Sequence, residues 1–263
     1  MQTTQMPNVA GIFYPEEPKA LRQTLQHLLQ QVKPPAPEAL PAKAIIAPHA
    51  GYIYSGPIAA SAYAQLIPLA SQLQQIVVLA PSHRVAFRGL AVPSAQQFAT
   101  PLGTIPVATK VLEPLLRLPQ VIRLDAAFAH EHALEVQLPF LQVILDDFAL
   151  IPLIVGEATA EEVAQVLETL WGDAHTLIVI SSDLSHYLDY ASAVAKDKHT
   201  SDLIVAMDQH LAADDACGRY PIRGLLRAAQ RHGLSAQLLD LRNSGDTAGD
   251  RSRVVGYGAY VFH

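Results

Sequence analysis

A short run of aliphatic residues that ends in proline or serine and is followed by histidine occurs three times in this chain. Ala44-Ile45-Ile46-Ala47 leads into Pro48-His49, and Ile76-Val77-Val78-Leu79-Ala80 leads into Pro81-Ser82-His83. Leu177-Ile178-Val179-Ile180 leads into Ser181-Ser182-Asp183-Leu184-Ser185-His186. Runs this short, rich in β-branched residues and bounded by Pro and Ser, read as buried parallel strands. In open α/β sheets, ligands bind beyond the carboxyl ends of such strands. Three imidazoles at three strand ends could therefore meet in one pocket.

The rest of the chain fits that frame. Helices are expected over 18–31, 56–66, 132–145, 160–171 and 221–233, with Pro139 kinking or splitting the third. The fifth has Pro near its start and Gly at its end, the asymmetry helices prefer. Further strands are expected over 150–155, 236–241 and 254–262. Lys33-Pro34-Pro35-Ala36-Pro37, with Pro41 after it, suits an extended connection between the first helix and the first histidine-bearing strand. Strands interleaved with helices give a layered α/β fold: one domain over 1–263, with a mostly parallel central sheet flanked by helices. Half of the 263 residues are hydrophobic and 16% are charged, enough apolar material for one large core and too much for long disorder.

The same balance limits the function. A net charge of −6 without a Lys/Arg cluster argues against nucleic acid as a partner. No apolar stretch approaches the roughly 18 residues of a membrane span. Met1 to Pro7 lacks the basic and apolar regions of a signal peptide, and a single cysteine forms no intrachain disulfide. A cytoplasmic location is the expectation.

The candidate site has several readings. His49 and His83 repeat one context, a strand end fixed by proline, which suits either metal ligands or hydrogen-bonded loop histidines. Arg84 could pair with a substrate anion or with a surface carboxylate. Asp183 and His186 share a face if their segment turns helically, as an acid–base group and its orienting partner; Ser182 or Asp183 could equally be a helix cap. In Ala129-His130-Glu131-His132-Ala133-Leu134-Glu135, His132 and Glu135 share a face of the expected helix. The second histidine of the His-Glu-x-x-His zinc motif is absent. Cys217 could be a small buried hydrophobe, a thiolate ligand or a nucleophile at the start of the last helix. Tyr52, Tyr54 and Tyr187 suggest a planar or apolar ligand, or equally ordinary packing.

Side by side, these segments resemble the Memo family, also described as protein B of the AmmeMemoRadiSam system. The likeness runs almost end to end: Ala10–Pro15, Ala47–Tyr52 with Ser55-Gly56, Pro81–His83, Thr100–Gly103, Glu131–Pro139, Ser181–His186 and Cys217–Ile222. The family is similar in fold to class III extradiol dioxygenases of the LigB type, non-haem iron enzymes that open catechol rings. The resemblance implies His49, His83 and Cys217 as metal ligands, His186 and Asp183 as catalytic groups beside the metal, and His132 against the substrate. Tyr52, Arg84 and Glu135 are the further candidates for substrate binding. Iron (Fe2+) is the expected metal, with copper or zinc as alternatives. A thiolate standing where the dioxygenases use a carboxylate favours softer metals, so catechol cleavage does not follow from the fold.

Three functions are compatible with this set. The first is a metal-dependent redox enzyme. The second is a non-catalytic peptide- or protein-binding module that retains the pocket; the resemblance implies AMMECR-type and radical-SAM proteins as partners. The third is a cysteine hydrolase, which competes with the first because a metal-bound thiolate cannot also attack freely.

Overall fold

A computed structural model describes residues 3–36 and 39–263. Among these, the strands are β1 (Thr4–Gln5), β2 (Ala44–Ala47), β3 (Gln75–Pro81), β4 (Leu90–Val92), β5 (Gln97–Thr100), β6 (Gly103–Pro106), β7 (Val121–Arg123), β8 (Ala149–Val155), β9 (Thr176–Ser181), β10 (His186–Leu188), β11 (Ala236–Asn243) and β12 (Val254–Phe262). The α-helices are α1 (Pro18–Gln30), α2 (Tyr52–Tyr63), α3 (Thr109–Leu115), α4 (Leu138–Ile144), α5 (Ala160–Leu170), α6 (Tyr190–Val205) and α7 (Arg219–Arg231).

The three histidine-bearing runs form the centre of the larger sheet. Parallel strands lie in the order β2-β9-β3-β8, with Ile45 opposite Val179, Val78 opposite Val179 and Leu79 opposite Leu153. Every residue of β2 and β9 is buried, as continuous aliphatic strands covered on both faces must be. The flanks are antiparallel: β12 pairs with β2, β10 and β11, and β4 pairs with β8 before β7 joins it in parallel. The sheet is thus mixed, and the expectation of a mostly parallel one holds only at its centre. The physical reason is the chain's return: β11 and β12 follow one another closely enough to pair as neighbours, which an antiparallel ladder allows and a parallel one does not. β1, β5 and β6 make a small separate sheet.

Helices flank the sheet. α5 and α7 pack on one another, and α7 reaches β3 and β9; α2 packs on β2, β11 and β12, beside α1. α6 was not anticipated, because its apolar residues follow no clear helical stripe. It lays Asp197, Thr200 and Ser201, all buried, toward the core side, and it packs on β11 and β12.

The expected helix over 132–145 does not form as one element. Residues 129–134 are irregular, Glu135–Gln137 makes a single 3-10 turn, and α4 begins at Leu138 with Pro139 in its first turn. Proline is tolerated there because the N–H it lacks has no intrahelical partner. Segment 182–185 likewise belongs to no helix or strand and leads directly into β10. Of the proline-rich connection, Lys33–Ala36 has no regular structure, whereas Pro37 lies outside the described residues, as do Met1 and Gln2.

Candidate metal centre

His49, His83 and Asp183 stand in the loops just after β2, β3 and β9, at the carboxyl ends of three adjacent parallel strands. His132 enters from the irregular segment before α4. Ring nitrogens of His49, His83 and His132 lie within 4.8 Å of one another, with His49 the most buried and His83 the most open. Ring centroids are 5.2 Å apart for His49 and His83, 5.5 Å for His49 and His132, and 5.1 Å for His83 and His132. Three imidazoles this close could hold a metal ion.

Two of the rings are held so that their donor atom is fixed. The Ser181 hydroxyl donates its one hydrogen to the Ala133 carbonyl (2.6 Å), so at 2.8 Å from His49 Nδ1 it can only accept. Gln137 Nε2 also donates to that oxygen at 2.8 Å, and Tyr63 OH donates to Gln137 Oε1 at 2.8 Å. His49 therefore carries its proton on Nδ1 and leaves Nε2 bare. His83 Nδ1 lies 2.9 Å from Glu131 Oε1, an acceptor when ionised, so the His83 ring in its neutral form also leaves Nε2 bare, and its protonated form pairs with the carboxylate. Ligating histidines are oriented by just this kind of bond at the second nitrogen.

Glu131 organises the whole corner. Its carboxylate accepts from His83 N (2.6 Å), His132 N (3.0 Å) and Ala133 N (2.9 Å) as well as from the His83 ring. Burial pushes this carboxyl up, but the His83 ring and charge, with the backbone donors, outweigh burial and hold it at about 2. Burial, helped by the charges of His83 and His132, holds the His49 pKa well below the usual imidazole range. Burial also lowers that of His132, against the pull of Glu131. Asp183 accepts from His49 N at 2.8 Å, and burial raises its carboxyl above the usual range against that bond and the nearby histidines.

A cavity of about 940 Å³ opens over this group. The three histidines, Asp183, His186 and Tyr54 all line it. The helical turn expected to join Asp183 to His186 is absent, yet the irregular segment between β9 and β10 delivers both to the same cavity.

Four expected site residues stand elsewhere. Cys217 lines a neighbouring cavity of about 430 Å³ with Ser82 and Tyr220, and it is not one of the three-way group. Its Sγ nevertheless lies 3.5 Å from His49 Nε2 and accepts from Asp183 N at 3.3 Å. Burial, with the Asp183 charge, pushes its thiol up to about 12. Tyr52 is a core residue rather than a cavity wall: its OH donates to Val136 O at 2.7 Å and its ring packs between Tyr14 and Phe140. Two residues on along α2, Tyr54 points the other way and takes the wall position. Glu135, expected beside His132, faces away. It accepts from Asn8 N, Val9 N and Tyr14 OH at 2.6, 2.9 and 2.5 Å and so ties down the N-terminal segment. The single turn that replaces the expected helix sends it there. Arg84 is exposed, outside the cavity wall and, among the described residues, in no ion pair.

Glu131, Gln137 and Ser181 were not singled out by sequence reasoning. All three lie inside the motif segments quoted above, which is the one signal that marks them.

The fold is that of an α/β protein with a histidine cluster at its parallel strand ends that could hold a metal ion, and the comparisons give it a family. The family model described as Memo-like protein matches residues 5–261, so this chain belongs to the Memo family. A MEMO1 family protein of Archaeoglobus fulgidus is 36% identical, covering 97% of this chain and 98% of its own. One from Desulfurococcus amylolyticus is 33% identical, covering 98% of each. Among solved structures, uncharacterized protein JW3007 from Escherichia coli K12 superposes with a TM-score of 0.52 at 15% identity, over 81% of this chain and 98% of its own, a likeness of fold alone. Among the described residues, no helix is long and apolar enough to cross a membrane.

Proposed function

We propose that this chain is a metal-dependent redox enzyme whose ion is held by His49, His83 and Cys217, with His132 facing the substrate. The observation that carries the reading is the pair of bare Nε2 atoms, each fixed by an acceptor at the opposite nitrogen. The third place goes to Cys217 over His132 for two reasons. Two donors sharing one tetrahedral ion stand about 3.5 Å apart, which is the separation of Cys217 Sγ and His49 Nε2. His132, by contrast, has Nδ1 3.5 Å from Glu131 Oε1, and among the described residues no hydrogen bond anchors its ring. A bound cation also inverts the protonation of a buried thiol, because a coordinating thiol is deprotonated outright.

Iron(II) is the first choice through the likeness to LigB-type dioxygenases; copper and zinc are the alternatives. When bound, the metal supplies Lewis acidity and one-electron chemistry at open coordination positions. The chain supplies the rest. His186 exchanges a proton with substrate in the cavity, Asp183 orients the charged groups beside it, and His132 contacts the substrate from the opposite wall. Against the hydrolase reading stands the Cys217 thiol itself, which burial and the Asp183 charge push up to about 12, the opposite of an activated nucleophile.

The test is metal per chain on protein purified without oxygen, beside Cys217→Ala and His132→Ala. Near-stoichiometric iron is expected in the wild type, none in Cys217→Ala, and full occupancy in His132→Ala. Iron kept by Cys217→Ala and lost by His132→Ala would move the third place to His132. A chain that stays metal-free after reconstitution would overturn the enzyme reading in favour of the binding module.

A further inference from the structure

His186 reaches the cavity at the end of segment 182–185, which belongs to no helix or strand, so bonds from other elements must hold it. Asp183 is tied to Cys217 by Cys217 N donating to Asp183 O at 3.3 Å. Leu184 N donates to Gly256 O, and Gly256 N donates to Ser185 O, both at 2.8 Å. The remaining donor, Ser185 N, is met from a different element: Asp197 Oδ1, on α6, accepts it at 2.9 Å. Asp197 is buried at 3% exposure and is not part of the cavity wall. Its seat is made by the opposite strand, since a Cβ on Gly256 would fall 1.9 Å from Asp197 Oδ2. One glycine of β12 thus does two things. Its backbone clamps Leu184 and Ser185, and its missing side chain makes room for the carboxylate that completes the clamp.

We propose that Asp197 is a positioning residue for the acid–base segment, setting His186 in the cavity through the Ser185 N–H. A buried carboxylate is an expensive way to satisfy a backbone donor, and among the described residues Ser185 N is the hydrogen-bond donor that meets this one. Its place directly behind the residue before His186 accounts for it. This inference rests on His186 being the acid–base group of the proposed site. The experiment reads the segment itself, so its failure is distinguishable from failure of the metal assignment.

The test is amide hydrogen exchange of the full chain, resolved to peptides across 183–188, for Asp197→Ala, Asp197→Asn and Gly256→Ala. A metal assay and the imidazole C–H resonances of His186 accompany it. In Asp197→Ala, exchange at 185–188 is expected to rise about tenfold or more, the scale of one lost buried hydrogen bond, and the His186 resonances should broaden. Asp197→Asn keeps an acceptor and should return both readings most of the way to wild type. Gly256→Ala should reproduce the Asp197→Ala pattern by displacing an unaltered carboxylate. Metal content should not change in any of them. Should Asp197→Ala not fold, Asp197→Leu, which fills the space without an acceptor, takes its place. Wild-type exchange at 185–188 in the acceptor-free variant would overturn the proposal. So would a rise spread equally over β2 and β9, or a failure of Asn to rescue.

Discussion

The parallel centre and the antiparallel flank of the sheet both send side chains into one cavity, yet they hold them by different means. In the centre, β2, β9 and β3 end in loops whose histidines are aimed by side-chain acceptors: Ser181 for His49 and Glu131 for His83. On the flank, His186 is aimed through its backbone, by Gly256 of β12 and Asp197 of α6. The difference follows from the task. A metal ligand needs one nitrogen bare and the ring fixed, which a bond to the other nitrogen achieves. A proton-exchanging group needs one nitrogen open to the cavity, and among the described residues the His186 ring has no hydrogen-bond partner, so its position is carried by its main chain.

The largest effect expected from breaking the central arrangement comes from Glu131→Gln. An amide keeps only one of the two acceptor oxygens and no charge, so at least the His83 N–H loses its partner and the His83 ring loses a charged acceptor. Metal affinity should fall about 10- to 100-fold by equilibrium titration. The same substitution has a signature in the metal-free protein. Glu131 titrates at about 2 when folded against an ordinary 4.5, so its stabilisation is present above about 4.5 and is lost as pH falls through about 2. Denaturant melts between pH 5 and 2 should show the wild type losing about 3 kcal/mol through this group, and Glu131→Gln lacking that loss. If the acid limb is unchanged, Glu131 is not the organiser described here.

A smaller effect sharpens the contrast from outside the site. On α7, a Cβ at Gly224 would lie 2.2 Å from Val163 Cγ1 of α5. Gly224→Ala should therefore lower stability by about 1–3 kcal/mol through overpacking, with metal occupancy and exchange at 185–188 both unchanged. Loss of metal in this variant would mean that the helices behind β3 and β9 set the loop geometry as much as Glu131 does. The smallest change is expected at the start of α5, where Thr159 and Glu162 form a reciprocal cap. Thr159→Ala should remove about 1 kcal/mol by thermal melting and leave both halves of the site intact.

Much of this arrangement was legible in the chain itself. Runs such as Ile45-Ile46 and Leu177–Ile180 are short, aliphatic without alternation and bounded by Pro or Ser, the pattern of a strand buried on both faces, so the parallel centre and the histidines at its ends could be located before any fold was known. The seven ordered motifs placed the chain in its family by the same kind of local signal. What local pattern could not supply was pairing across distance. Glu131 and His83 are 48 residues apart, Ser181 and His49 are 132 apart, and Gln137 touches Pro48 from 89 residues away. Glu135 and His132 looked like partners because a helix would align them, but the backbone donors of Asn8 and Val9 drew Glu135 to the other side. α6 was invisible because Asp197, Thr200 and Ser201 interrupt its buried face, and Asp197 has room there only because β12 carries Gly256. Sequence by itself determined where the ligand-type side chains must emerge, since strand ends follow from the hydrophobic pattern. Tertiary structure decided which nitrogen each histidine offers and which groups hold it, because hydrogen-bond partners are chosen by proximity in space, and proximity between distant residues is written only in the folded chain.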